Sequence, residues 1–238
     1  MSDKSVKAGV IFAVAAYTMW GIAPAYFKLL THVPALEIVM HRIVWSVLVL
    51  CGLLLLRRKF AQVLTALRDP KVVAILAISG LLLAANWLVF IWAVNNNQML
   101  DASLGYYINP LFNVVLARLF LQESLSRLQL LAVLVALLGV ALLIFSYAQI
   151  PWVALVLAFT FSIYGLLRKK VNIDAKSGLL VETAILLPVA LGYLVITLGN
   201  SPASMLTNSL NLSLLLVAAG VVTTIPLLCF AGAAVRIP

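Results

Sequence analysis

Three ionisable side chains stand near the start of one strongly apolar stretch, residues 35–56. They are Glu37, His41 and Arg42. In a helix Glu37 and His41 share a face because they are four residues apart, whereas Arg42 points about 100° away from His41. An ionisable group inside a membrane helix is costly and usually faces a cavity or a partner. Arg42 is therefore predicted to hold an anion or carboxylate, and His41 and Glu37 are coupling or gating candidates. The alternative is that Arg42 extends to lipid headgroups or pairs structurally with a carboxylate.

A fourth ionisable residue, Glu182, lies near the start of another apolar stretch that contains "VETAILLP". We interpret it as a coupling carboxylate, and the alternative is a carboxylate that caps the start of its helix. Pro188 follows in the same stretch and lacks an amide donor, so it should kink the helix near the middle of the membrane. Such a kink can act as a gate or only adjust packing.

Amide and phenol groups lie in two further apolar stretches. Asn86 is predicted to contact substrate, with an interhelical hydrogen bond as the alternative, because a buried amide needs a partner or water. Tyr106 and Asn109 lie just before Pro110, which interrupts backbone hydrogen bonding, and polar side chains at such a break predict a cavity wall. Anchoring at the membrane interface is the alternative for the tyrosine. Asp101 and Ser103 are predicted to cap the start of this helix.

An aromatic residue stands beside a glycine at two places, Trp20 with Gly21 and Tyr164 with Gly165. Glycine permits close approach of helix backbones, and an aromatic ring beside it can line a cavity. Trp20 and Tyr164 are therefore predicted to line a substrate site, although helix packing alone also explains them.

The composition indicates an integral membrane protein. Of 238 residues, 65% are hydrophobic and 10% are charged, and a spanning helix needs about 20 mainly apolar residues. The net charge of +9 does not indicate nucleic-acid binding, since the basic residues are dispersed between apolar runs and are not gathered on one face. The runs predict eight spanning helices at about 6–27, 35–56, 72–94, 103–122, 128–147, 151–168, 178–198 and 210–234.

The basic residues predict the orientation. All of them except Lys28 and Arg42 fall on one side when the spans alternate. Because Lys and Arg accumulate in short cytoplasmic loops, that side is predicted to be cytoplasmic, and the N-terminus lies there.

An internal repeat relates the two parts of the chain. "YTMWGIAPAYFK" matches "FTFSIYGLLRKK" at an offset of 144, and "GLLLAANWLVFIWAV" matches "GVVTTIPLLCFAGAA" at an offset of 140, with Gly80 against Gly220. The similar offsets predict a repeat of five spans over 6–147 and an incomplete second copy over 151–238. Since five is odd, the second copy enters the membrane from the opposite side, an arrangement typical of secondary transporters.

The chain resembles the EamA-type transporters of the drug/metabolite transporter superfamily, in particular their RarD-like members. The matching segments are "MWGIAPAYFKLL", "EIVMHRIVWS", "NWLVFIWAVNNN", "ASLGYYINPL", "FLQESLS", "YGLLRKK", "ETAILLPVAL" and "FAGAAVRIP". The resemblance implies an all-α protein of the bacterial inner membrane, with ten helices in two inverted EamA repeats, that exports small metabolites or drugs. RarD-like members carry a chloramphenicol-linked label. Because Pro238 falls opposite Gln98, the sequence predicts a C-terminal truncation that leaves eight helices.

These observations favour a secondary active exporter of a small organic solute, working by alternating access in the lipid bilayer. No cofactor, metal or nucleic-acid partner is predicted; a proton or another coupling ion and a homodimeric state are left open. A truncated, transport-inactive protein or scaffold is one alternative. An intramembrane enzyme is another, and the sequence lacks the H-E-x-x-H and G-x-S-x-G motifs that would favour it.

Overall fold

The computed structural model describes residues 3–56, 60–120, 122, 126–146, 150–171, 173–199 and 209–234. Within these ranges the chain forms nine α-helices and no strand, which confirms the predicted all-α class. The helices are α1 (Asp3–Lys28), α2 (Ala35–Leu56), α3 (Phe60–Arg68), α4 (Pro70–Asn95), α5 (Met99–Phe120), α6 (Arg127–Ser146), α7 (Trp152–Lys170), α8 (Ala175–Ile196) and α9 (Leu210–Ala234).

The eight long helices match the eight predicted apolar runs. Six of the helices in the described ranges are long and apolar enough to cross a membrane, and the apolar part of α6 over 127–143 is shorter. We therefore treat the chain as an integral membrane protein. The six are α1, α2, α4, α7, α8 and α9, counted over Val6–Lys28, Ala35–Leu56, Pro70–Asn95, Trp152–Lys170, Ala175–Ile196 and Leu210–Phe230.

Polar side chains set the starts of two helices. At α6, Ser126 and Gln129 form a reciprocal capping box: the Gln129 amide donates to Ser126 Oγ at 3.3 Å and the Ser126 amide donates to Gln129 Oε1 at 2.9 Å. At α8, the N-cap Asp174 accepts the amide of Ser177 at 3.4 Å. Each cap satisfies amide groups that the first turn of a helix leaves without an intrahelical partner.

The start of α5 differs from the prediction. The helix begins at Met99, and Ser103 Oγ donates to the Met99 carbonyl at 2.9 Å, so this serine is not an N-cap. Asp101 lies inside the first turn, where its charge suits the helix dipole. The early start follows from a tight reversal after Asn95, in which Asn97 adopts a left-handed conformation with φ 59°.

Helix α3 was not predicted. Its nine residues, "FAQVLTALR", are far shorter than a spanning segment and alternate apolar and polar groups. A search for long apolar runs therefore passes over it.

One compact unit comprises the described parts of residues 1–80 and 173–238. In it α2 packs on α8 and α9, α1 packs on α9, and α3 packs on α8. Two glycines lie at close contacts between helices of this unit. At Gly220 of α9 an added Cβ would lie 2.5 Å from the Trp45 backbone of α2, and at Gly80 of α4 it would lie 3.1 Å from the Glu182 carbonyl oxygen of α8. Helices α2 and α9 each contact at least two other long helices of this unit.

The second compact unit comprises residues 81–172. Here α5 packs on α7 and α6, and Gly105 brings α5 close to α7, since an added Cβ would lie 3.0 Å from the Ala154 carbonyl oxygen. Its apolar core has two clusters, one of Leu104, Ile108, Val140, Ala154 and Ala158, the other of Ala93, Ala102, Val153 and Leu157. The repeats predicted over 6–147 and 151–238 stay a prediction. Helices that pack together can belong to different repeats, so the two compact units do not test the repeat bounds.

Gly21 and Gly165 lie away from the close helix contacts of the described residues. An added Cβ would meet no described atom within 4 Å at either position. These two glycines lie on exposed parts of α1 and α7, whereas the close contacts fall at Gly80, Gly105 and Gly220.

Candidate functional site

Arg42 is buried in the first unit among α1, α2 and α9. Its side chain is 6% exposed, its Nε donates to Thr223 Oγ1 at 2.6 Å, and its guanidinium carbon lies 5.1 Å from the centroid of the Phe27 ring. A cation above an aromatic face gains electrostatic energy that partly offsets desolvation. The head group therefore lies between helices and does not extend along α2 to the membrane surface.

Glu182 has an equally enclosed place on α8. It is 1% exposed and Oε1 accepts a hydrogen bond from Ser79 Oγ of α4 at 2.6 Å. The alternative that Glu182 caps its helix is wrong, because Asp174 occupies the N-cap.

The other candidates on α2 and α8 differ in exposure. Glu37 and His41 are buried, at 2% and 5% exposure, so both face the helix bundle as their shared spacing predicts. Ser46, one turn beyond Arg42, donates to the Gly220 carbonyl at 3.4 Å. Pro188 lies within a continuous α8 and is exposed.

Trp20 belongs to an aromatic cluster of the first unit. Its ring centroid lies 5.7 Å from that of Tyr17 and 5.4 Å from that of Phe230 on α9. Tyr17 also meets Phe230 edge-on at 6.3 Å. The cluster offers ring faces and edges that can stack an aromatic or apolar group.

In the second unit, Asn86 and Asn109 both bind α7. Asn86 Nδ2 donates to the Leu157 carbonyl at 3.0 Å and to Thr160 Oγ1 at 2.8 Å. Asn109 Nδ2 donates to the Ala158 carbonyl at 3.2 Å and, at 2.8 Å, to the hydroxyl of Ser162. The two amides thus form interhelical hydrogen bonds, the alternative that the sequence left open for Asn86.

The aromatic candidates of the second unit have aromatic neighbours. Tyr106 meets Phe90 edge-on at 6.2 Å and is 55% exposed, and Tyr164 lies 5.8 Å from Phe161 on the same helix. The exposure of Tyr106 suits either a cavity wall or an interfacial position.

The structure divides the predicted residues between the two units. Those of the first unit are Trp20, Glu37, His41, Arg42, Glu182 and Pro188, and those of the second are Asn86, Tyr106, Asn109 and Tyr164. Within each unit it brings polar candidates onto hydroxyl partners that sequence reasoning missed: Thr223, Ser79, Thr160 and Ser162. A hydroxyl in an apolar helix gives little signal because it can bond its own helix, as Thr223 does to the Ala219 carbonyl at 2.7 Å.

Residues 7–145 match the model of the EamA-like transporter family. The chain belongs to this family. It is 53% identical over 238 residues to Protein RarD of Salmonella typhimurium, covering 100% of this chain and 81% of the relative. It is 45% identical to the uncharacterized transporter YojE of Bacillus subtilis, in an alignment that covers 100% of this chain and 80% of that relative. It is 34% identical to the chloramphenicol-sensitive protein RarD of Pseudomonas aeruginosa, in an alignment that covers 78% of this chain and 64% of that relative. No solved structure matches the chain.

Membership of the EamA-like family and the spanning helices identify a multi-pass membrane transporter, and the bacterial relatives support an inner-membrane location. The resemblance drawn from the motifs is thereby confirmed. The family and the relative YojE are named as transporters and not as enzymes. The chain spans about four fifths of the length of the Salmonella typhimurium and Bacillus subtilis relatives, and the predicted truncation stays a prediction.

Proposed function

We propose that this EamA-like protein is a secondary active transporter that exports a small organic metabolite or drug by alternating access between inverted repeats. Its N-terminus is cytoplasmic in this proposal. A proton or other ion gradient supplies the energy, in keeping with the lack of a G-x-x-x-x-G-K-[ST] nucleotide motif in the sequence. The observation that carries the proposal is the equivalent placement of two buried charges of opposite sign, Arg42 and Glu182.

The two charges have the same position in matched helices. Helices α2 and α8 both have 22 residues and begin at Ala35 and Ala175, at an offset of 140. Arg42 and Glu182 each lie seven residues beyond the first residue, or about 10 Å along the helix axis. If the repeats are inverted, the two charges lie about 10 Å from opposite membrane faces, on either side of the midplane where such transporters bind substrate.

The helices that contact these charges are matched as well. Arg42 bonds Thr223 of α9, and Glu182 bonds Ser79 of α4, while the repeat places α4 against α9. The close approaches at Gly220 and Gly80, which are 140 residues apart, belong to the same two helix pairs, α9 with α2 and α4 with α8. This repetition of contacts supports the inverted repeat.

The chemistry follows from what each group can exchange. Arg42 binds an anionic or carboxylate group of the substrate when that group replaces the Thr223 hydroxyl, and Glu182 takes up a proton or a cationic group in place of Ser79. Charged partners strengthen both contacts relative to neutral hydroxyls. We also assign Asn86, Tyr106, Asn109, Trp20 and Tyr164 to substrate binding, and His41, Glu37, Glu182 and Pro188 to coupling or gating.

Accumulation of a labelled solute in cells tests this assignment. Chloramphenicol is a suitable first probe because the name of one relative refers to sensitivity to it, and a metabolite profile of the same cells covers other solutes. Cells that express the wild type should accumulate a different amount of the labelled solute from cells without the gene. Dissipating the proton gradient should abolish this difference in accumulation. Arg42→Ala and Glu182→Gln should each lose at least about tenfold of the transport rate, about 1.4 kcal/mol.

Ser46→Ala is the matched control. Ser46 is fully buried on the same helix as Arg42 and also bonds α9, but it carries no charge. It should retain most of the transport rate at wild-type protein levels. Equal transport by the wild type, Arg42→Ala and Asn86→Ala would show that the assigned site is wrong, and a rate independent of any gradient would exclude secondary active transport.

A further inference from the structure

Helix α3 has two apolar stripes with different surroundings. Val63 and Ala66 are buried, at 7% and 2% exposure, and α3 packs on α8. Leu64 and Leu67 are 57% and 51% exposed, and their spacing places them on one face of the helix. The second stripe is therefore available to a partner outside this unit's own packing.

The connections hold α3 at the end of two spanning helices. Helix α2 ends at Leu56, α3 runs from Phe60 to Arg68, and α4 begins at Pro70. A chain reaches at most about 3.6 Å per residue, so these connectors cannot carry α3 far from the membrane boundary. A short amphipathic helix at that level lies along the interface, with its apolar side chains at the boundary of headgroups and acyl chains.

The sequence on both sides of α3 is rich in basic residues. Arg68 and Lys71 are exposed, and residues 57–59, directly before α3, are all basic. The one acidic residue between them, Asp69, turns its carboxylate toward the start of α4, where Oδ1 accepts the amides of Lys71 at 2.9 Å and Val72 at 3.4 Å. Basic side chains beside exposed leucines match the two parts of an anionic phospholipid, its phosphate and its acyl chains.

We propose that α3 binds anionic phospholipid headgroups, with Leu64 and Leu67 among the acyl chains and with Arg68 and Lys71 on the phosphates. The guanidinium group of Arg68 can hold a phosphate by two parallel hydrogen bonds. Ser177 of α8 donates to Gln62 of α3 at 3.5 Å. A lipid that holds α3 at the membrane surface therefore also stabilises the contact between α3 and the start of α8. The proposal does not depend on the transported solute or on the membrane orientation.

Hydrogen–deuterium exchange of the full chain in lipid nanodiscs tests this proposal without a transport assay. One sample contains phosphatidylcholine alone, and the other contains phosphatidylcholine mixed with phosphatidylglycerol. Amides of residues 60–68 should exchange on the order of tenfold more slowly with the anionic lipid, and high salt should remove most of the difference.

Charge variants separate α3 from a general effect of positive charge. Arg68→Gln with Lys71→Gln should lose the slower exchange, because the two charges that contact the phosphates are removed. Both residues are exposed, so the core of the unit is unchanged. Lys7→Gln with Lys169→Gln removes the same charge at other exposed helix ends and should retain it. Equal exchange of wild-type α3 in the two lipids, or an equal loss in both variants, would overturn the proposal. Protection that depends on protein concentration and not on lipid would instead indicate a second copy of the chain as the partner, and would also overturn it.

Discussion

Replacing Gly220 with alanine tests the contact that holds Arg42 in place. The new Cβ would lie 2.5 Å from the backbone carbon and Cβ of Trp45 and 2.8 Å from the Ser46 amide nitrogen. Ordinary carbon contacts lie at about 3.5 Å or more, and a helix backbone cannot turn aside as a side chain can. Helices α2 and α9 must therefore part by about 1 Å.

This separation breaks the polar contacts between the two helices. The Arg42 to Thr223 hydrogen bond, 2.6 Å long, would exceed the normal range, and the 3.4 Å bond from Ser46 to Gly220 would be lost. Overpacking costs about 1–3 kcal/mol and loss of a hydrogen bond to a charged group about 1.5–3 kcal/mol. A loss of about 3 kcal/mol should lower the Tm of a domain of this size by about 10 °C.

Thermal unfolding in detergent can be followed with a thiol-reactive dye, since Cys51 on α2 and Cys229 on α9 are free cysteines. Gly52→Ala is the control, because an added Cβ there meets nothing within 4 Å, and it should raise the Tm slightly through better helix propensity. If Gly220→Ala unfolds within about 2 °C of this control, a difference below 1 kcal/mol, α2 and α9 do not approach as described.

Three further changes give graded outcomes in the same unfolding assay. Gly80→Ala should cost about 1–2 kcal/mol, less than Gly220→Ala, because its added Cβ lies 3.1 Å from the Glu182 carbonyl oxygen; a larger cost would contradict that order. Asn109→Asp removes the amide donor and places a carboxylate against the Ala158 carbonyl, so it should lower stability by about 2 kcal/mol or more, with Asn109→Gln as the control that keeps an amide. Asp174→Ala removes the α8 cap and should cost about 1 kcal/mol, and an unchanged Tm would show that the cap contributes nothing.

The long helices could be predicted because a membrane imposes a length on every apolar run. The start of α2 at Ala35 was predicted to the residue, whereas α5 begins four residues before the predicted run, at Met99. Its start is set by the left-handed Asn97, a conformation that depends on the turn as a whole. The same search does not find helix α3, because nine residues are too few to indicate a spanning helix.

The partners of the polar residues could not be predicted in the same way. Sequence alone singled out Arg42 and Glu182 because charges are rare in apolar helices. Their partners Thr223 and Ser79 lie 181 and 103 residues away, and a hydroxyl among apolar residues is not distinctive. Helix packing decides which hydroxyl is within reach, and single-sequence patterns do not contain that information.

The hydrogen bonds that Asn86 of α4 and Asn109 of α5 make to α7 have a mechanical consequence. They hold the carbonyls of Leu157 and Ala158, which are consecutive and therefore project about 100° apart around the helix axis. One of these bonds alone would still allow α7 to roll about the bonded point, but no roll preserves both. Asn86 and Asn109 thus fix the rotational setting of α7 from two directions. Any motion of this helix during a working cycle should be translation with its neighbours α4 and α5, and not rotation against them.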